Sequence, residues 1–289
     1  MDFAIENGLG RTASLLRGDA DGFVRGMDLY QATITDDAPA VSELLSKGTD
    51  PDEFWDRDGD YRGMTSLMIA CRRMCAPVVE ALLGGGAYAT ISDGRDGHTA
   101  MYHLLVSLRS TVGTGSNDRG SGTLTRNLGL LVDSQGSPDL DVGTDEGPPL
   151  CYVCATEFLG WTSDGRSARQ VAFDWLVSHG ADPNARDGSG RTPLICACTS
   201  GGKEAENIVC TLMELGADPD ARDACGRTAI MHASAMPGDS GLDLIKTIHD
   251  FCEPGMDFRD SDGKDALEIA ADSGNTGVLK YLLERRRQP

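Results

Sequence analysis

What the sequence lacks narrows its function first. No apolar run approaches the ~18 residues that a membrane-spanning helix needs, so no membrane segment is expected. Positive charge is scarce: 26 lysines and arginines face 45 aspartates and glutamates, a net −19 at pH 7. A protein that grips a phosphate backbone needs a basic stripe. This balance instead favours solubility and the attraction of basic partners. The start, Met-Asp-Phe-Ala-Ile-Glu-Asn, has neither the basic region and apolar core of a secretory signal nor the arginines of a mitochondrial presequence. Nine cysteines are odd in number and irregularly spaced. That argues against a disulfide framework and for reduced thiols in the cytoplasm or nucleus.

Catalytic signatures are missing as well. The histidines at 98, 103, 179, 232 and 249 form no His-Glu-x-x-His pair on a helix. Gly201-Gly202-Lys203 lacks the first glycine of a phosphate loop, and Glu204 stands where a hydroxyl residue would hold magnesium. Gly188-Ser189-Gly190 is too short for a nucleophile elbow. No catalytic residue, cofactor or metal ligand is expected, and an enzyme is the least favoured class.

What is present is a recurrence. Gly190-Arg-Thr-Pro-Leu-Ile-Cys-Ala197 returns as Gly226-Arg-Thr-Ala-Ile-Met-His-Ala233. Looser copies begin at Gly63, Gly97 and Gly263, and degenerate ones near Met27 and Pro148. The threonine-equivalent positions are 27, 65, 99, 148, 192, 228 and 265. Their spacing is close to a ~33-residue period with insertions, the mark of a stacked repeat array. A second apolar helix follows in most copies, as in Val41, Leu44, Leu45 and Val209, Leu212, Met213, with the spacing of one helical face. Gly180-Ala-Asp-Pro183 and Gly216-Ala-Asp-Pro219 form exits.

This helix–turn–helix–finger pattern resembles the ankyrin repeat over roughly residues 27–284. The resemblance implies an all-α solenoid of about seven repeats with short hairpin-like fingers. Physical chemistry agrees at several positions. Glycine at 97, 190, 226 and 263 suits tight turns. Thr192 suits an N-cap and Pro193 the first helical turn. Ala70, Ala197, Ala233 and Ala270 share a place where helices approach closely, and one repeat cannot bury its apolar face without a neighbour. Residues 1–26 read as an extension or cap, and 27–289 as a single elongated repeat domain. Residues 111–122, rich in glycine and serine, read as a flexible insertion, and 159–167 as a second insertion.

The repeat register decides between readings of the remaining chemistry. Cys151, Cys154, Cys196 and Cys198 have the residue types of a zinc site. Yet Cys71, Cys154 and Cys198 hold one register position, where stacked helices sit ~10 Å apart. They read as small buried apolar groups, and no zinc is expected. His179 reads as a helix C-terminal residue. Asn184 reads as a turn asparagine bonding its own backbone, at a place where the resemblance also implies asparaginyl hydroxylation.

The resemblance implies a non-catalytic module that binds another protein along a concave finger and inner-helix face. The first finger, 50–63, sets Phe54, Trp55 and Tyr61 among six carboxylates. Arg62 and Met64 follow, and Arg95 and His98 lie in the next finger. Arg186, Arg222 and Arg259 recur before an aspartate, and Arg191, Arg227 and Lys264 form a second basic column. These residues are the candidate contacts, read against a ladder of solvated ion pairs of small weight. The acidic first finger points to a partner with a basic patch. Two other readings stay open: a structural subunit anchored by its insertions, and an acidic decoy that covers a nucleic-acid-binding surface.

Overall fold

The computed structural model describes residues 28–56, 59–108, 121–133, 140, 147–156, 167–202 and 204–286. The expected extension at 1–26 and nearly all of both expected insertions lie outside these residues. The exceptions are Ser121 and Gly122, which open a helix, and Ser167, which caps one.

Fourteen helices occur among the described residues, and they pack in consecutive pairs. They fall into two compact units. The first unit holds α1 (Leu29–Ile34), α2 (Ala38–Ser46), α3 (Ser66–Arg72), α4 (Ala76–Gly84), α5 (Ala100–Ser107) and α6 (Ser121–Asp133). The second holds α7 (Pro149–Ala155), α8 (Ala168–Ser178), α9 (Pro193–Ser200), α10 (Ala205–Glu214), α11 (Ala229–Ser234), α12 (Ser240–Phe251), α13 (Ala266–Asp272) and α14 (Thr276–Arg286). Within each unit the leading helices stack on one another, α1 on α3 on α5 and α7 on α9 on α11 on α13. The trailing helices α2, α4 and α6 stack likewise, as do α10, α12 and α14. The expected all-α fold class is what the chain adopts.

The recurring motif works as its chemistry requires. The leading helices are preceded by N-caps at Asp28, Thr65, Thr99, Pro148, Thr192, Thr228 and Asp265. Asp28 accepts from the Gln31 amide at 2.7 Å and Thr192 from the Ile195 amide at 3.4 Å. Asp265 and Glu268 close a reciprocal capping box. Proline occupies the first turn of α9. Ala70, Ala197, Ala233 and Ala270 are all fully buried. Leucine, isoleucine and valine fill the layers between helices, each burial contributing roughly 1.5–3 kcal/mol.

Fingers are short turns closed by backbone bonds: Asp187 N–H to Arg191 O, Asp223 N–H to Arg227 O and Asp260 N–H to Lys264 O, each 3.0 Å. Ser92 and Thr99 make an antiparallel bridge. Neighbouring fingers also bond directly, Ala224 N–H to Ser189 O at 2.9 Å and Ser261 N–H to Cys225 O at 2.8 Å. Gly190 has φ +74°, and a β-carbon there would lie 3.2 Å from the Ala224 nitrogen. Turn conformation and close approach both demand glycine at this point.

One buried cation joins two layers of the second unit. Arg169, at the start of α8, is fully buried. Its guanidinium donates to Val153 O (3.2 Å), Cys154 O (2.6 Å), Gly201 O (3.0 Å) and Ser200 Oγ (2.9 Å). These acceptors are the C-terminal ends of α7 and α9, where the helix dipole concentrates negative partial charge.

Candidate functional site

The first finger folds back on α1. Trp55 N–H donates to Met64 O at 2.9 Å and Gly63 N–H to Trp55 O at 2.7 Å, which closes the finger. The Trp55 indole then stacks on Tyr30 of α1, with ring centroids 3.4 Å apart and 6° between planes. Tyr61 meets Tyr30 edge-on at 6.3 Å, and the Arg72 guanidinium lies 5.9 Å over the Tyr61 ring. A cleft of about 410 Å³ opens beside this stack. Leu29, Leu44, Met64 and Ile69 supply its apolar side chains, Tyr30, Trp55 and Phe54 its aromatic wall, and Asp28, Asp50, Glu53 and Asp56 its carboxylates. Phe54 keeps 47% of its surface exposed. Aromatic side chains concentrate binding energy at protein interfaces.

The six finger carboxylates do not act alike. Asp52 turns away from the cleft and accepts from the Tyr88 amide at 3.0 Å. Burial pushes its carboxyl above the usual range, and Asp50 beside it pushes the same way. Asp60 is exposed, and Asp58 lies outside the described residues. Arg62 and Arg95 are also exposed.

The arginine columns are more engaged than a solvated ladder. Arg186 donates to Gly190 O in its own finger (2.9 Å) and to Arg222 O in the next (2.8 Å). Arg222 repeats the pattern with Gly226 O (2.9 Å) and Arg259 O (2.6 Å). Arg259 bonds Gly263 O and Glu268. The aspartates beside them face inward: Asp187 and Asp260 are buried, and each accepts two backbone N–H groups of its own turn. In the second column Arg191 pairs with Asp187 (2.8 Å), Arg227 with Asp260 (3.0 Å) and Lys264 with Asp272 (2.6 Å). Asn184 likewise reaches beyond its own turn, donating to Gly216 O (3.1 Å) and accepting from the Asp218 amide (2.8 Å).

Histidines and cysteines sort into separate environments. His179 is the C-cap of α8, with Nδ1 2.7 Å from Trp175 O. Cys71, Cys154 and Cys198 are fully buried. Burial pushes their thiols up, Cys198 to about 12. The finger before α5, by contrast, joins groups that the sequence pattern separates. His103 Nε2 lies 2.9 Å from Asp93 Oδ2, and His98 Nδ1 lies 4.0 Å from the same oxygen. Burial holds the His103 imidazole below its ordinary value, against the pull of Asp93. Tyr30, this His–Asp group and the matching pair of His232 Nε2 and Asp223 Oδ2 (2.8 Å) are among the features that the sequence pattern does not reveal.

Comparison with known proteins follows from this geometry. The model for ankyrin repeats (three copies) matches residues 166–246 and 202–289. A solved ankyrin repeat domain, that of Bcl-3, described as a unique member of the IkappaB protein family, is 24% identical with a TM-score of 0.66. The match covers 90% of this chain and 99% of that one. The human ASB11 ankyrin repeat domain is 19% identical with a TM-score of 0.63, covering 91% of this chain and 99% of the other. A search of curated protein sequences finds no match. Ankyrin repeat domains are in general protein–protein interaction modules, and no helix among the described residues is long and apolar enough to cross a membrane.

Proposed function

From the ankyrin repeats that this chain carries, we propose that it is a non-catalytic protein-binding module whose first finger and inner helices seat a partner bearing a basic patch. The observation that carries this reading is the cleft beside Trp55. It combines apolar side chains, an aromatic wall and four carboxylates, Asp28, Asp50, Glu53 and Asp56. An apolar side chain flanked by lysine or arginine fits that combination: the apolar side chains take its apolar body, and the carboxylates attract the charge and steer encounter. Phe54, exposed at the mouth, is the contact most ready to be covered. Within the first unit Arg62, Arg95 and His98 extend this contact surface; in the second unit the arginines at 186, 191, 222, 227 and 259, with Lys264, form a candidate contact strip of their own.

The test is capture of partners from the native source with matched baits: the wild-type chain, Phe54→Ala and Trp55→Ala. A partner held by the wild type and released by both variants supports the reading, with a loss of about 2 kcal/mol or more for a buried aromatic anchor. Its association should slow as salt rises, because rim charges act on encounter rates. A partner held equally by all three baits but released on deletion of 111–120, residues outside those described, would replace this reading with that of a structural subunit anchored by an insertion.

A further inference from the structure

The finger between Ser92 and Thr99 shares its histidine–aspartate bond with the finger before α11, where His232 Nε2 lies 2.8 Å from Asp223 Oδ2, but it sets a second imidazole, His98, against the same aspartate. Asp93 Oδ1 accepts three backbone N–H groups, from Asp96 (2.8 Å), His98 (3.2 Å) and Arg95 (3.3 Å). Those bonds fix the carboxylate plane and leave Oδ2 facing two imidazoles, His103 at 2.9 Å and His98 at 4.0 Å. In the second unit the register position of His98 is held by Arg191, Arg227 and Lys264. Arg191 and Arg227 there neutralise the buried finger carboxylates Asp187 and Asp260. The finger before α5 has no such guanidinium at this place. Its aspartate instead faces two nitrogen donors of the kind that binds borderline metal ions, His98 in the finger and His103 in α5.

We propose that Asp93, His98 and His103 form a site for one zinc-class divalent transition ion. One donor atom from each of the three lies within 4.8 Å of the others. Tetrahedral zinc places ligands of about 2.0–2.1 Å bond length a little over 3 Å apart. The Asp93–His103 pair must open slightly, and the His98 ring must close in. The donor set, two imidazoles and one carboxylate, suits zinc, cobalt or nickel over calcium or magnesium, which favour oxygen ligands. The three N–H groups on Oδ1 act as the orienting outer shell that such ligands need. His98 stacks on Tyr102 with centroids 4.0 Å apart, and His103 is packed in α5. Three protein ligands leave the fourth position of the ion to water. The ion would clip the finger to the first turn of α5 and supply the positive charge that arginine supplies in later fingers.

The test uses the full chain, stripped by a chelator, kept reduced, and titrated with Co²⁺ and then Zn²⁺. The expected result is one Co²⁺ per chain with a tetrahedral visible spectrum, no thiolate-to-cobalt charge-transfer band, displacement by Zn²⁺, and a raised melting temperature. His98→Arg should abolish it, weakening the ion by at least about 100-fold, the upper end of what outer-shell changes alone produce. That variant is chosen because arginine already occupies the same place in other fingers, so it should fold. Cys151→Ser and Cys196→Ser should leave binding intact. Absence of binding by the wild type, binding unchanged in His98→Arg, or a thiolate band lost in Cys151→Ser would each overturn the proposal. A partner test built on Phe54 and Trp55 is unaffected by any of these outcomes.

Discussion

Replacing Arg169 by methionine isolates the buried hydrogen-bond network of the second unit. Methionine roughly keeps the volume, so no large cavity confuses the reading. The wild-type guanidinium donates to three backbone carbonyls and one hydroxyl at the ends of α7 and α9. Each bond from a charged donor is worth about 1.5–3 kcal/mol net, and each carbonyl stranded without a donor costs about 1–3 kcal/mol. Against this, removal recovers the several kcal/mol that desolvating a cation costs. Ser200 Oγ continues to donate to Cys154 O at 2.7 Å, which rescues one acceptor. The balance is a loss of about 3–5 kcal/mol, the range seen when one partner of a buried charged contact is removed. For a unit of this size that corresponds to a fall in melting temperature of roughly 6–20 °C. Urea unfolding followed by far-ultraviolet circular dichroism, with the slope checked for constancy, measures it directly. Arg169→Lys should fall between, because an ammonium lacks the planar fork that spans both helix ends. A loss below about 1 kcal/mol for Arg169→Met would refute the argument that this cation joins the layers.

Three further outcomes are expected. Ala197→Leu should destabilise the chain by about 1–3 kcal/mol through overpacking where α9 meets its neighbours, and an unchanged melting temperature would show the contact to be loose. Under native conditions at pH 8, a thiol reagent should modify exposed Cys225 at once and Cys71, Cys154 and Cys198 only after denaturant; rapid labelling of Cys198 in the folded chain would contradict its burial. Asp260 is held below its ordinary value: burial pushes it up, but the Lys264 and Asp262 amides and the Arg227 guanidinium outweigh that. Its stabilisation is therefore complete above the unfolded value near 3.8 and is lost as pH falls through the lower folded value. Asp260→Asn should lower stability at pH 7 and flatten the acid limb, and an unaltered limb would assign it elsewhere.

Much of the fold was legible because its signals are local. A threonine cap and a glycine turn act within four residues, and apolar periodicity marks a helix without reference to neighbours. Those terms place the motif copies at 65, 99, 192, 228 and 265 on helix N-caps, and the first weak copy resolves to Asp28 in place of Met27. The finger around Trp55 stood out for its aromatic and acidic crowding. Tyr30 did not, because its pairing with Trp55 depends on how the finger folds over α1. Asp93, His98 and His103 escaped for a related reason. They straddle a turn and a helix start, so neither the helical nor the strand period brings them together. Arg169 reads as an ordinary polar residue of a first turn, and only the ends of α7 and α9 converging on it reveal its burial.

The finger arginines show why a structural and a binding reading need not compete. A guanidinium carries five N–H donors in a fixed fork. Arg186 uses its Nη1 for Gly190 O and Arg222 O, and Arg222 uses Nε and Nη2 for Gly226 O and Arg259 O. Both side chains are exposed, so each staple contributes little to stability by itself. Their effect is to fix the direction of the fork. An arginine already held in one rotamer loses less entropy when a partner carboxylate or carbonyl takes its remaining donors. Arg222→Lys preserves the charge and removes the fork. If the staples only support the fold, that change should lower stability slightly and leave partner dissociation untouched. If they also orient the contact strip, dissociation should quicken by more than the stability loss accounts for, while association, which depends on charge, stays the same.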